Sequence, residues 1–145
     1  VDELAGERTS FSNYFHKGIG KPFEIEHIWS QHFAEHTDEF DQQHDFDDYR
    51  NRMGGLVLLP RGTNQSYGDK SYEIKQGHYI KENLLVKSLC PLTYENNPNF
   101  KTLVSEYNFP FRAHNEFKKA DLEARQTLYQ AICEDIWSLK VKGPA

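Results

Sequence analysis

A carboxylate and an imidazole stand side by side at Glu26 and His27, within a segment that alternates apolar and polar residues. Adjacent side chains of a strand point to opposite faces, so these two groups could take two different roles. A carboxylate is a hard oxygen ligand that suits Mg²⁺ or Mn²⁺, and an imidazole titrates near neutral pH, where it suits a general base. Taken alone, the dipeptide favours a structural role, so its surroundings must decide.

Two short strands are predicted to position these residues. Residues 23–29 alternate apolar and polar side chains, which predicts a half-buried strand with Phe23, Ile25 and Trp29 on one face. Residues 56–59 are continuously apolar and predict a second short strand. The connection between the strands is long and polar, with room for a short helix.

A loop and two long helices are predicted after the second strand. Residues 61–69 are rich in turn formers and predict a loop, and the pattern after it predicts a helix from near Ser71 to about residue 89. Three prolines indicate that residues 91–112 are irregular. An apolar stripe then predicts a final helix over about residues 115–140.

We therefore expect a single α+β domain over residues 1–145. The chain begins with Val1 instead of an initiator Met, which indicates a fragment of a larger protein. No segment has the length and apolarity of a membrane span or of a signal peptide. Cys90 and Cys133 are expected to be free and buried, as is usual in the cytoplasm.

Several spaced motifs, in order along residues 23–89, resemble a known family. They read Glu-Ile-Glu-His-Ile-Trp-Ser-Gln, then Arg-Asn-Arg-Met-Gly-Gly-Leu-Val-Leu-Leu-Pro-Arg-Gly-Thr-Asn-Gln-Ser, then Ser-Tyr-Glu-Ile-Lys. This stretch resembles the His-Asn-His (ββα-metal) nuclease domain at the C-terminus of GmrSD-type modification-dependent restriction enzymes, which include SspE-like members. The resemblance implies a core of a two-stranded hairpin and a helix, with flanking helices.

The resemblance also implies a role for each matched residue. His27 would be the general base, Glu26 a metal ligand, and Asn64 a catalytic residue and the second ligand of one Mg²⁺ or Mn²⁺ ion. The reaction would be hydrolysis of a DNA phosphodiester, with nicking of double-stranded DNA and products that carry 3′-hydroxyl and 5′-phosphate ends. Lys75 matches the family's helix lysine and is a candidate DNA contact.

Arg61 and Lys70 flank the turn of Asn64 and are two further candidates for DNA-backbone contacts, which position a duplex without reading its sequence. The resemblance implies that a separate nucleotide-dependent sensing domain in the parent protein would recognise modified DNA. The expected setting is an anti-phage restriction system in the cytoplasm.

One departure from the family pattern affects the expected catalysis. Gly55 stands where the family usually has an Asn that is thought to orient the catalytic histidine or its loop. We therefore expect reduced catalytic efficiency, and an increase in cleavage on Gly55→Asn. Asn51 lies nearby in sequence, but its offset from the strand argues against a simple replacement.

Charge is strongly segregated along the chain. The formal net charge is −5, which argues against nucleic-acid binding when taken as a whole. Residues 24–48 hold nine carboxylates without Lys or Arg, whereas residues 50–87 hold seven basic and three acidic side chains. Such runs are most often solvated surface, but this arrangement is also compatible with a cation site beside a phosphate-binding surface.

Two other functions stay open from the sequence. The first is a catalytically degenerate DNA-binding or regulatory module, which the glycine at position 55 motivates. The second is a structural metal-binding interaction domain. His32, His36 and His44 could suggest a zinc site, but their spacing favours a solvated loop or a short helix.

Overall fold

A computed structural model describes residues 1–6 and 22–138 of the chain. The described elements follow one another in this order: β1 (Phe23–His27), a 3₁₀ turn (Phe33–His36), α1 (Gln43–Arg50), a 3₁₀ turn (Met53–Gly55), β2 (Leu56–Pro60), α2 (Arg61–Tyr67), α3 (Tyr72–Tyr79), α4 (Leu84–Lys87), α5 (Pro91–Asn96), α6 (Pro98–Tyr107) and α7 (Lys119–Trp137). The predicted α+β class and both predicted strands are confirmed.

The two strands form an antiparallel hairpin in which Glu26 pairs with Val57 and His27 with Leu56. The predicted apolar face of the first strand is wrong. Ile25 is 60% exposed, whereas Glu26 is 3% exposed. Glu26 can point into the protein because a lysine of α3 neutralises its charge there. Alternation also ends at His27, so the next two residues are both buried.

Three helical segments differ from their predictions. The predicted loop at residues 61–69 contains α2, which packs against both strands. The predicted irregular stretch contains α5 and α6, because Pro91 and Pro98 lie in the first turn of each helix, where the missing N–H has no intrahelical partner to lose. The predicted helix over residues 71–89 is interrupted, since the side chain of Asn83 accepts a hydrogen bond from the backbone N–H of Val86 and starts α4.

Two apolar clusters make up the described core. The first surrounds Trp29, whose Nε1 donates a 2.6 Å hydrogen bond to the Phe117 carbonyl and whose ring stacks on Phe46 at 5.6 Å between centroids. The second lies between α6 and α7 and includes Phe100 and Leu128. The first cluster includes Val57 and Leu59 of β2 and so packs against the hairpin.

The long helix α7 connects the two clusters. Arg125 is buried and donates hydrogen bonds to the Leu85 carbonyl at 3.0 Å and to the Ser88 hydroxyl at 2.8 Å, so its role is structural. Among the described cysteines, Cys90 is buried and Cys133 is exposed, and both are free thiols. The expectation of two buried thiols is therefore wrong for Cys133. No helix in the described part of the chain is long and apolar enough to cross a membrane.

Candidate active site

Glu26 lies in the middle of the hairpin and forms a buried ion pair with Lys75 of α3. The Lys75 ammonium donates a 2.6 Å hydrogen bond to Glu26 Oε1 and a 2.8 Å hydrogen bond to the His27 carbonyl. The Glu26 side chain is 3% exposed, and the Lys75 side chain is 0% exposed. Lys75 therefore links α3 both to the carboxylate of Glu26 and to the backbone carbonyl of His27.

Burial acts on both charges of this pair. Desolvation raises the pKa of Glu26, although the hydrogen bond and the positive charge of Lys75 oppose this shift. Desolvation likewise lowers the pKa of Lys75, against the attraction of Glu26. Each group keeps its partner in place, because either charge alone at this position would be poorly solvated.

His27 is half-buried at the end of β1, where Asn51 holds its ring. His27 Nε2 lies 2.9 Å from Asn51 Oδ1. Desolvation lowers the pKa of His27, the hydrogen bond with Asn51 opposes this shift, and the charge of Arg50 adds to it. The imidazole is therefore neutral at physiological pH, which is the form that can accept a proton.

Asn64 is brought against the first strand by α2, but its contacts are with Glu24 and Ile25 instead of Glu26. Its Nδ2 donates hydrogen bonds of 3.3 Å to Glu24 Oε2 and of 3.3 Å to the Ile25 carbonyl. Glu24 also pairs with Arg61, whose Nε lies 3.2 Å from Glu24 Oε1. The predicted approach of Asn64 to the strand is present, and its partner carboxylate lies two residues earlier than expected.

The oxygen donors around the hairpin fit a hard divalent cation by chemical type. Glu24 and Glu26 alternate with Ile25 and so extend to one side of β1, and Asn64 carries an amide oxygen on the adjoining helix. The ion pair with Lys75 restricts this donor set, because the ammonium already occupies Glu26 Oε1.

The three candidate DNA contacts differ in accessibility. The Arg61 side chain is 58% exposed, and Lys70 is partly exposed, with Nζ 5.8 Å from the centroid of the Tyr67 ring. Lys75 is fully buried, and its ammonium is bound by Glu26 and the His27 carbonyl. The prediction that Lys75 contacts DNA is therefore wrong in this structure, because the burial that makes it a partner of Glu26 keeps it from a phosphate.

The close approach of α7 accounts for the glycine at position 55. A Cβ on Gly55 would lie 3.1 Å from the Arg50 carbonyl oxygen and 3.1 Å from Leu122 Cδ1. On Gly54, a Cβ would collide with the Leu122 carbonyl oxygen and lie 2.7 Å from the Gln126 backbone nitrogen. A side chain at position 55 therefore requires the Arg50 backbone or the Leu122 side chain to move by a few tenths of an ångström. This crowding opposes the gain in cleavage expected from Gly55→Asn.

Asn51 is a functional candidate that the sequence analysis considered and set aside. It caps the C-terminus of α1, and its amide reaches His27 across 24 residues of sequence. The backbone of Asn51 stays right-handed, with φ −87°, so the preference of asparagine for the left-handed position after a helix does not identify it. Its offset from the second strand was misleading because Asn51 approaches His27 from α1.

The other histidines form no metal cluster with Cys, Asp or Glu within residues 1–6 and 22–138. His36 lies in the 3₁₀ turn Phe33–His36, which agrees with the expected short helix. It is buried instead of solvated, and its ring stacks on Phe46 with 5.1 Å between ring centroids. His32 and His44 each lie beside an exposed carboxylate.

One comparison with known proteins gives a match. The sequence model of the family described as "GmrSD restriction endonucleases, C-terminal domain" matches residues 3–132. No curated protein and no solved structure matches the chain significantly. The matched range contains the hairpin, the helices α2 and α3 that follow it, and all the candidate residues.

Proposed function

Because the chain belongs to the family of GmrSD restriction endonuclease C-terminal domains, we propose that it is a metal-dependent DNA endonuclease that nicks double-stranded DNA. The proposed core is of the ββα-metal type, formed by the hairpin and a helix packed on it. The observation that carries the proposal is the half-buried imidazole of His27, held by Asn51 at the end of β1, one residue after Glu26.

His27 is the proposed general base. It accepts a proton from water, whose oxygen attacks phosphorus as the bond to the leaving 3′ oxygen breaks. The leaving oxygen takes a proton from a solvent water, which yields 3′-hydroxyl and 5′-phosphate ends. Desolvation and the positive charge of Arg50 both lower the pKa of His27 and so keep the ring unprotonated before the reaction. A base of this kind accelerates a reaction by about 10²- to 10⁴-fold.

The proposed metal ligands are Glu26 and Asn64. A bound Mg²⁺ or Mn²⁺ ion would stabilise the negative charge that develops on the phosphate and the leaving oxygen. The carboxylate and amide oxygen donors support this assignment, and Asn64 already lies against the strand that carries Glu26. Lys75 keeps Glu26 oriented through its hydrogen bond to Oε1.

Cations at the surface support a DNA substrate. We propose that Arg61 and Lys70 contact the phosphate backbone on either side of Asn64. In the proposed setting, a nucleotide-dependent sensing domain of the parent protein recognises modified DNA, and the whole acts in cytoplasmic anti-phage restriction. This domain alone then has weak affinity and little sequence preference.

Plasmid nicking tests the function directly. Supercoiled DNA is incubated with the protein in Mg²⁺, in Mn²⁺ or in EDTA, and with His27→Ala or Asn64→Ala. Matched controls are His44→Ala, at an exposed histidine of α1, and Asn99→Ala, at an exposed asparagine of α6.

We expect nicking by the parent and by both controls, and none in EDTA or with either site variant. Nicking that survives His27→Ala, or that proceeds in EDTA, would overturn the proposed mechanism. DNA binding without nicking in either metal would favour the second candidate, a regulatory DNA-binding module, which the occupation of Glu26 Oε1 by Lys75 supports.

A further inference from the structure

We propose that Asn51 is a positioning residue that fixes the tautomer of His27, so that Nδ1 is the nitrogen that accepts the proton. The assignment of the tautomer depends only on hydrogen bonds within the chain. Calling Nδ1 the catalytic nitrogen rests on the proposed function.

The orientation of the Asn51 amide follows from the carbonyl of Asp47. Asn51 Nδ2 lies 2.9 Å from this oxygen, which also accepts a hydrogen bond of 3.3 Å from the backbone N–H of Asn51. A carbonyl oxygen can only accept hydrogen bonds, so the group that faces it must be the amide nitrogen. The amide oxygen therefore faces the other way, towards His27.

The protonation of His27 follows from the orientation of Asn51. Asn51 Oδ1 lies 2.9 Å from His27 Nε2, and this oxygen can only accept, so Nε2 must carry the hydrogen. A neutral imidazole has one N–H group, which leaves the lone pair on Nδ1. The chain from Asp47 through Asn51 to His27 thus selects one of two tautomers by geometry.

The helix that carries Asn51 is firmly attached beside the hairpin. Phe46 of α1 is fully buried and stacks on Trp29. Arg50 donates a 3.1 Å hydrogen bond from Nε to the carbonyl of the same tryptophan. Because Trp29 lies two residues after His27, these contacts fix the end of α1 relative to the imidazole.

Gly55 has no side chain that could supply this contact. A Cβ there meets the Arg50 carbonyl oxygen and Leu122 at 3.1 Å each. The side chain that orients His27 therefore comes from α1, which approaches the imidazole directly, instead of from the turn before β2.

Histidine side-chain nitrogen NMR tests the tautomer on the full chain without metal. Long-range ¹H–¹⁵N correlation spectra at pH 8 distinguish an Nε2–H ring from an Nδ1–H ring, and His27→Ala identifies the signal of His27. We expect the Nε2–H form in the parent and a mixture of both forms in Asn51→Ala. Asn51→Asp keeps an oxygen acceptor towards the ring and should retain the Nε2–H form.

Gln43→Ala is the matched control, because Gln43 donates to the Asp47 carboxylate from the same helix and has no contact with His27. It should leave the tautomer unchanged. In plasmid nicking, Asn51→Ala should lower kcat by about 10- to 100-fold, the range known for residues that orient metal-binding histidines, with KM for DNA unchanged.

An Nδ1–H ring in the parent, or an unchanged tautomer in Asn51→Ala, would overturn the inference. Circular dichroism identifies any variant that fails to fold. If Asn51→Ala does not fold, Asn51→Asp provides the test, because loss of the Nε2–H form in that variant would also overturn the inference. A parent that does not nick DNA would contradict the proposed function, while the NMR result would still decide the tautomer.

Discussion

Lys75 determines the environment of Glu26, its partner in a buried ion pair. Its match to the helix lysine of the family suggested a phosphate contact, but the side chain is fully buried against Glu26. In that position it provides the charge that allows a glutamate to point into the core. The residue is therefore important for the candidate site because it holds the carboxylate, whereas the exposed Arg61 stays available at the surface.

Removing Lys75 should destabilise the protein strongly. Lys75→Met leaves Glu26 buried without a partner, and such a change typically lowers the free energy of unfolding by about 3–5 kcal/mol. Denaturant unfolding followed by circular dichroism measures this. The double variant Glu26→Gln with Lys75→Met should recover much of the loss, because it buries no charge.

Arg61→Ala is the contrasting control for this prediction. Its ion pair with Glu24 is largely exposed, and pairs of this kind contribute about 0–1 kcal/mol. If Lys75→Met were as mild as Arg61→Ala, the buried pair would not be the contact that holds Glu26.

At the scale of elements, α7 determines the backbone of the turn before β2. The helix lies so close to Gly54 and Gly55 that its own backbone occupies the space of a side chain at position 54. The Gln126 side chain also accepts a 2.8 Å hydrogen bond from the Gly54 backbone N–H. The glycine pair therefore allows close packing between a helix and the hairpin.

Gly54→Ala should therefore destabilise the fold, by about 1–3 kcal/mol or more, as is typical of overpacking. Gly77→Ala is the matched control within α3, where a Cβ meets no atom within 4 Å. It should stabilise the protein by about 0.5–1 kcal/mol, because alanine favours a helix interior. Thermal and denaturant unfolding compare the two, and equal effects would contradict the assigned close approach.

The elements that sequence analysis predicted well are those with strong local patterns. Alternation located β1, the apolar run located β2, and the apolar stripe located α7. The inward face of β1 could not be deduced from alternation, because Lys75 reverses the usual preference by neutralising Glu26 from a helix about 50 residues away. Tertiary contact likewise makes α2 helical despite its turn-forming residues.

The candidate site was predictable only in part for the same reason. The resemblance to the family identified His27, Glu26 and Asn64 as the residues to examine, and α2 does bring Asn64 to β1. The role of Asn51 depends on the direction from which α1 approaches the hairpin, and no local pattern in the sequence specifies that direction.

At the scale of the whole molecule, buried histidines couple stability to pH. Burial lowers the pKa of His36, which faces Glu39, Glu35 and Lys118. Burial also lowers the pKa of His114, which faces Asp121, Arg112 and Arg125 from the surrounding elements. The unfolded chain titrates near the ordinary value of 6.5, so it binds protons that the folded chain does not.

The contribution of His114 to stability should therefore be fully present above pH 6.5 and be lost as the pH falls through its lower folded pKa. His114→Asn removes the titration and keeps a donor for Asp121, which His114 Nδ1 contacts at 2.8 Å. Between pH 7 and pH 5, the free energy of unfolding should fall less in His114→Asn than in the parent. Identical slopes would contradict the pKa direction assigned to His114. Because the pKa of Glu26 is raised, its contribution to the free energy of unfolding falls as the pH rises above the ordinary value of 4.5, opposite to the effect of His114. This contribution is the same in the parent and in His114→Asn, so it cancels in the comparison.

The segregation of charge makes a final prediction about DNA binding. The net charge of −5 opposes the approach of a polyanion, and the segment at residues 50–87 supplies the local positive balance that permits it. Binding should therefore weaken steeply with salt, and each lost phosphate contact should reduce the slope of log K against log salt by about 0.9. Arg61→Ala and Lys70→Ala should each show this reduction in fluorescence anisotropy titrations with duplex DNA, whereas Lys101→Ala, at an exposed lysine of α6, should not. Equal slopes for all three variants would mean that the positive segment does not face the DNA, since only cations in contact with phosphate release counterions on binding.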